Sequence, residues 1–248
     1  MKWNESLYFG TWQLSEDFHL VTRVEAIEII NFALEQGISN FDTANVYGNG
    51  SVESILGIIL PEKARIVTKI PAMQKPILNE LSDIQKYYPI NWMAEKFEIS
   101  MNRLRRNQIY CILLHNWCDN WESNCDEQIS YLLNLKAKGF VEKIGISIPN
   151  NFVGSIPFEL INKIDVIEAP YNYENNWISD NMLLLQSNNI EIILRSIFLQ
   201  GKHKKLCEST ESDKIIKEAF LKKCNLVIGM TKKINILKNI QSLKEAQK

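Results

Sequence analysis

The sequence predicts a single-domain α/β protein, a closed (β/α)₈ TIM barrel spanning residues 1–248. Three observations lead there. Eight short apolar runs alternate with eight amphipathic stretches, the order that parallel strands and crossover helices produce. The runs are rich in Val and Ile and show little polar alternation, as strands buried on both faces do. No Gly-x-Gly-x-x-Gly turn follows an early run, although an open sheet that held a dinucleotide would normally carry one. A chain of 248 residues suits one barrel.

The strand segments are 7–10, 40–44, 65–69, 109–115, 143–147, 166–170, 191–196 and 226–230. The helical segments are 22–36, 51–60, 91–105, 127–138, 152–162, 179–187, 213–223 and 232–246. In the first helix Val24, Ile27, Ile30, Phe32 and Leu34 lie on or near one face, and Gly37 follows where a left-handed turn ends a helix. Gly139 closes the fourth helix in the same way. No Pro-, Gly- or Ser-rich linker and no repeat beyond the β/α period divides the chain.

Composition narrows the function. The chain is 46% hydrophobic and 23% charged with a net charge of −1, so neither nucleic acid nor an anionic membrane is indicated as a partner. Five scattered cysteines form no Cys-x-x-Cys pair, which points to a reducing, cytoplasmic setting. The start, Met1-Lys2-Trp3-Asn4-Glu5, has no apolar leader, and no run is long enough to span a bilayer. With only His19, His115 and His203, and no ligand spacing, no metal site is expected.

In a (β/α)₈ barrel the chemistry sits at the C-terminal ends of the strands. There the second strand brings Asp42, with Tyr47 in the loop beyond it. The third ends in Lys69 and the fourth in His115, after Ile112-Leu113-Leu114. Taken singly, His115 suits a core histidine as well, Asp42 a helix cap and Tyr47 a loop residue. Together they suggest proton donation coupled to hydride transfer. A phenol is a poor acid near neutrality, and a neighbouring ammonium is expected to lower its pKa. A carboxylate would hold the ammonium, and an imidazole would hydrogen-bond a substrate carbonyl. The hydride must come from a cofactor.

These residues lie in motifs that resemble the aldo-keto reductase superfamily. They are Gly10-Thr11-Trp12-Gln13-Leu14, Gly37-Ile38-Ser39-Asn40-Phe41-Asp42-Thr43-Ala44, Tyr47-Gly48 and Glu53-x-x-x-Gly57, then Leu113-Leu114-His115-Asn116. Later landmarks are Gly145-Ile146-Ser147, Pro170-Tyr171-Asn172, the stretch from Arg195 to Gly201, and Val227-Ile228-Gly229-Met230-Thr231. The resemblance implies a catalytic tetrad of Asp42, Tyr47, Lys69 and His115, with Tyr47 as general acid/base. It implies a nicotinamide dinucleotide across the barrel mouth, contacted by Thr11, Trp12, Ser147 and Glu168. Arg195, Ser196, Phe198, Gln200 and Gly201 would carry the pyrophosphate, and Gly229, Met230, Thr231, Lys232, Lys233 and Asn239 the adenosine end. NADP(H) is favoured over NAD(H), because Lys232 and Lys233 begin the last helix, where N–H groups also face an anion.

The sequence departs from the family at three places. Ile148 replaces an Asn, Glu168 a Gln, and Asn235 an Arg. A glutamate accepts a hydrogen bond from a carboxamide but donates none, and an asparagine lacks the arginine fork. The chain is also a short, loop-trimmed version of the pattern, which implies an open mouth lined by Trp12, Asn116, Trp117 and Trp121 and a carbonyl substrate, such as a sugar derivative. Two other readings compete. One is a non-enzymatic nucleotide-binding barrel that binds a partner or senses redox state. The other is a barrel isomerase in which Lys69 forms a Schiff base. The sequence leaves the substrate, reaction direction and oligomeric state open.

Overall fold

The computed structural model describes residues 1–15, 21–77, 82–118, 121, 124–175, 177–199 and 209–248, with the backbone alone at 209–212. Eight strands are β1 Leu7–Gly10, β2 Asn40–Asp42, β3 Arg65–Ile70, β4 Ile109–His115, β5 Val141–Ser147, β6 Val166–Pro170, β7 Glu191–Arg195 and β8 Asn225–Gly229. They pair in parallel, each with the next, and β8 returns to β1 to close the barrel. After a short α1 at Trp3–Ser6, the outer layer is α2 Arg23–Glu35, α3 Ser51–Ile59, α4 Ile90–Leu104, α5 Asp126–Ala137, α6 Phe158–Ile161, α7 Trp177–Ser187, α8 Ser209–Leu221 and α9 Lys233–Ala246. None of the described helices is long and apolar enough to cross a membrane.

Local chemistry explains most boundaries. Thr22 caps α2 by accepting from the Glu25 N–H, and Glu25 accepts from the Thr22 N–H in return. The predicted helix over 152–162 is a correction: only Phe158–Ile161 is helical. Pro157 stands at its N-cap with extended backbone, and a proline disfavours helical geometry in the residue before it. Gly154 lies in the same stretch. Further small shifts are of one to four residues at helix and strand ends.

Register builds the site. Along the walls, side chains alternate between the barrel interior and the helix layer. Tyr8, Val67, Tyr110, Cys111, Leu113, Val166, Ile193 and Val227 form a cluster of their own, the side chains that fill such a barrel. One step further toward the strand ends, Gly10 pairs with both Asp42 and Gly229, and Ser147 pairs with both His115 and Glu168. The polar residues therefore form the layer above an apolar plug.

Candidate active site

Lys69 is the hub of that layer. Its Nζ lies 2.5 Å from Asp42 Oδ2 and 3.2 Å from Glu168 Oε2, and donates to the Thr43 carbonyl at 3.0 Å. Lys69, Asp42 and Glu168 are all buried. Burial alone works against the charged lysine, but the Asp42 and Glu168 carboxylates outweigh it and hold the ammonium above its usual pKa. For Glu168 burial again opposes charge, and Lys69 with Arg195 overcomes it, so its carboxyl sits below the usual range. Burial and the Glu168 charge raise Asp42 well above that range.

Tyr47 and His115 stand over this hub. The Lys69 ammonium lies 5.7 Å from the centroid of the Tyr47 ring, and the Tyr47 and His115 rings meet edge to face at 6.4 Å. Trp12, on the exposed rim, lies 6.3 Å from Tyr47. The four tetrad residues are thus brought together at one mouth. The electrostatics differ from expectation in one respect. Lys69 does pull the Tyr47 phenol toward ionisation, but burial, helped by Asp42 and Glu168, pushes its pKa up to about 12. Burial and then Lys69 lower His115 to about 3, so its imidazole is neutral near pH 7.

Second-layer contacts fix these groups, and the sequence alone gave little sign of them. The Tyr88 hydroxyl donates to the His115 carbonyl. Arg103 donates to the Asn45 carbonyl at 3.1 Å and reaches Glu53 Oε2 at 3.5 Å, while Thr68 donates to Glu53 Oε1 at 2.7 Å. Asn45 donates to Ser100 Oγ at 2.9 Å. The loop that carries Tyr47 is therefore tied to α3, α4 and β3. A Cβ at Gly57 would fall 2.1 Å from the Arg103 carbonyl, so only glycine lets α3 and α4 approach this closely. The Glu53-x-x-x-Gly57 spacing was a sequence signal for this support.

The remaining sequence candidates divide by location. Ser147 is buried and donates to Glu168 Oε1 at 2.9 Å. Arg195 spreads its guanidinium over the Ile148 carbonyl at 2.6 Å, Asn150 Oδ1 at 3.0 Å and Ser196 Oγ at 3.0 Å, with Nε 3.5 Å from Glu168. It clamps β7 to the loop after β5. Ser196 and Leu199 have φ of 56° and 45°, a left-handed conformation that costs non-glycine residues energy and clusters at functional loops. Phe198 is half-buried between them, and Gln200 and Gly201 lie outside the described residues. Gly229 ends β8 against the Gln13 side chain. Thr231, Lys232 and Lys233 lead into α9, whose first turn has no side-chain cap; Lys233 Nζ rests 5.5 Å from the Phe32 ring centroid. Asn239 is half-buried further along α9, and Asn116, with φ 63°, is half-exposed after His115.

Other candidates are buried within the fold. Thr11 is fully buried and donates to the Asp42 carbonyl at 2.8 Å, so its hydroxyl is spent on joining β1 to β2. Met230 belongs to the hydrophobic core. Trp117 and Trp121 were expected to line the mouth; both are instead fully buried, with rings 5.8 Å apart, because an apolar indole gains more from this aromatic cluster than from the rim.

A closed barrel of eight parallel strands with an ionisable cluster at their C-terminal ends defines the TIM-barrel class, with its site where that fold carries chemistry. The chain belongs to the aldo/keto reductase family, whose model matches residues 6–246. It is 26% identical over 195 residues to the aldo-keto reductase YhdN of Bacillus subtilis (strain 168), a match covering 77% of this chain and 58% of that protein. The holo form of aldo-keto reductase AKR11C1 from Bacillus halodurans superposes with a TM-score of 0.77 at 18% identity, covering 96% of this chain and 86% of that one. An aldo-keto reductase from Klebsiella pneumoniae in complex with NADPH gives 0.73 at 15% identity, covering 96% and 85%.

Proposed function

We propose that this protein transfers hydride between NADP(H) and the carbonyl of a small molecule, an aldehyde, ketone or sugar derivative, with Tyr47 as the general acid/base. The observation that carries the reading is the convergence of Tyr47 and His115 over a buried Lys69–Asp42 pair at one mouth. The neutral His115 imidazole donates to the carbonyl oxygen and orients it. Tyr47, still protonated at neutral pH, gives that oxygen its proton as charge develops. Lys69 stabilises the phenolate left behind, and Asp42 anchors Lys69. Burial of the hub keeps these charges out of water, where each acts more strongly.

The donor set fits a nicotinamide dinucleotide. Ser147 and Glu168 offer a hydroxyl and a carboxylate at the level of Lys69, suited to a carboxamide NH₂. The uncapped first turn of α9, flanked by Lys232 and Lys233, offers free N–H groups and positive charge to a phosphate. Ser196, Phe198, Gln200 and Gly201 would line the pyrophosphate. When bound, the reduced cofactor supplies the hydride. Tryptophan fluorescence titration with NADPH and NADH tests this. Both should bind, and Lys232→Ala with Lys233→Ala should weaken NADPH by the ~1.5–3 kcal/mol of a charge-assisted contact while sparing NADH. Equal losses would mean that these lysines do not read the 2′-phosphate. Tight NADPH binding with no turnover on any carbonyl would instead favour the non-enzymatic nucleotide-binding reading.

A further inference from the structure

Glu168 is a full negative charge where a neutral amide of the same shape would satisfy Ser147 equally well. Its Oε1 accepts from Ser147 at 2.9 Å, a bond that glutamine could also accept. What glutamine could not supply is the charge that Lys69 Nζ meets at 3.2 Å and Arg195 Nε at 3.5 Å. Glu168 Oε2 is buried and faces the Lys69 ammonium. Asp42 also holds Lys69, at 2.5 Å, so Glu168 is the second carboxylate on one ammonium.

We propose that Glu168 tunes the redox balance of the site: its buried carboxylate stabilises the oxidised, positively charged ring of a bound nicotinamide dinucleotide over the reduced, neutral ring. The proposal rests on the hydride-transfer reading above. In carbonyl reduction the hydride leaves the ring with both electrons of its C–H bond and forms a new C–H bond at the carbonyl carbon. The Tyr47 proton passes to the carbonyl oxygen. Two charges are thereby created, a positive one on the ring and a negative one on the phenolate. Lys69 favours the second. Glu168 favours the first, and its ionised state is maintained by Lys69 and Arg195.

The geometry sets the scale. Glu168 is two short steps from the phenol, 3.2 Å to Lys69 Nζ and 5.7 Å from there to the Tyr47 ring centroid. A carboxylate that meets the carboxamide NH₂ would lie within about 10 Å of the ring, where a unit charge at an effective dielectric near 20 changes affinity by on the order of tenfold or more. The bound reduced cofactor becomes the stronger hydride donor by that factor, and the oxidised cofactor leaves correspondingly slowly.

The test is binding rather than turnover. NADP⁺ and NADPH are titrated by tryptophan fluorescence into the wild-type protein, Glu168→Gln and Glu168→Asp. Glu168→Gln should weaken NADP⁺ relative to NADPH by about tenfold, equal to a rise of about 30 mV in the potential of the bound couple. Glu168→Asp, which keeps the charge, should stay near the wild-type ratio. An unchanged ratio in Glu168→Gln overturns the proposal and leaves the hydride-transfer reading standing. Failure of the wild-type protein to bind either form removes that reading, and the proposal with it. Should Glu168→Gln not fold, the wild-type ratio decides: NADP⁺ binding at least as tightly as NADPH supports the proposal, and NADPH binding tenfold tighter overturns it.

Discussion

Lys69 Nζ stands between two buried carboxylates, 2.5 Å from Asp42 and 3.2 Å from Glu168. Removing one partner of a buried ionic group leaves the others uncompensated, which typically costs about 3–5 kcal/mol. Lys69→Met should therefore lower the unfolding free energy by about that amount in urea denaturation, and adding Glu168→Gln should restore part of it. A Lys69→Met protein of unchanged stability would mean that the three groups are not held as a unit.

Arg103 ties the Tyr47 loop to Glu53 and to the Asn45 and Asn49 carbonyls. Arg103→Met should let the phenol drift, and misplacement by about 1 Å costs on the order of 10²-fold in turnover. Cofactor affinity, read in the same preparation by fluorescence, should stay within about twofold, because Arg103 lies on the Tyr47 side of the mouth. A matched loss of kcat and NADPH affinity would point to general unfolding in place of a positioning role.

How far the sequence carried the reading follows from which interactions are local. Period and β-branching placed every strand, and residues at strand ends then had to converge, because the barrel repeats the same geometry eight times. That logic reached Asp42, Lys69 and His115, whereas Ser147 and Glu168 came only from the family resemblance. It failed where packing decides. The break before Phe158 came from Pro157 and Gly154 acting against an apolar pattern. Trp117 reads like a rim residue yet packs on Trp121, whose ring in turn meets those of Tyr87 and Tyr88 from an earlier part of the chain. Tyr88 and Arg103 reach the site from outside the strand ends, so no strand-end rule finds them. The direction of the Tyr47 shift was misjudged because burial and two carboxylates, known only in three dimensions, outweigh one ammonium.

His115 gives the site a pH signature. Its pKa falls to about 3 on folding, against an ordinary value near 6.5. Between these values the unfolded chain binds a proton that the folded chain does not. Stability from this group is therefore complete above about pH 6.5 and is lost as the pH falls toward 3. Side-chain NMR should show the His115 imidazole neutral throughout pH 5–8, on the order of a unit or more above its folded pKa. A midpoint between 6 and 7 would contradict the buried environment. His115→Gln should flatten the acid limb of the stability curve.

The central claim is that the Tyr47 hydroxyl delivers the proton in a hydride transfer. The direct measurement is single-turnover oxidation of bound NADPH by an aldehyde that the wild-type protein reduces, compared between wild type and Tyr47→Phe. The substitution keeps the ring beside His115 and Trp12 and removes only the hydroxyl. The account predicts that the hydride-transfer rate falls by about 10²–10⁴-fold while NADPH affinity is nearly unchanged. A Tyr47→Phe protein that transfers hydride at the wild-type rate would contradict it.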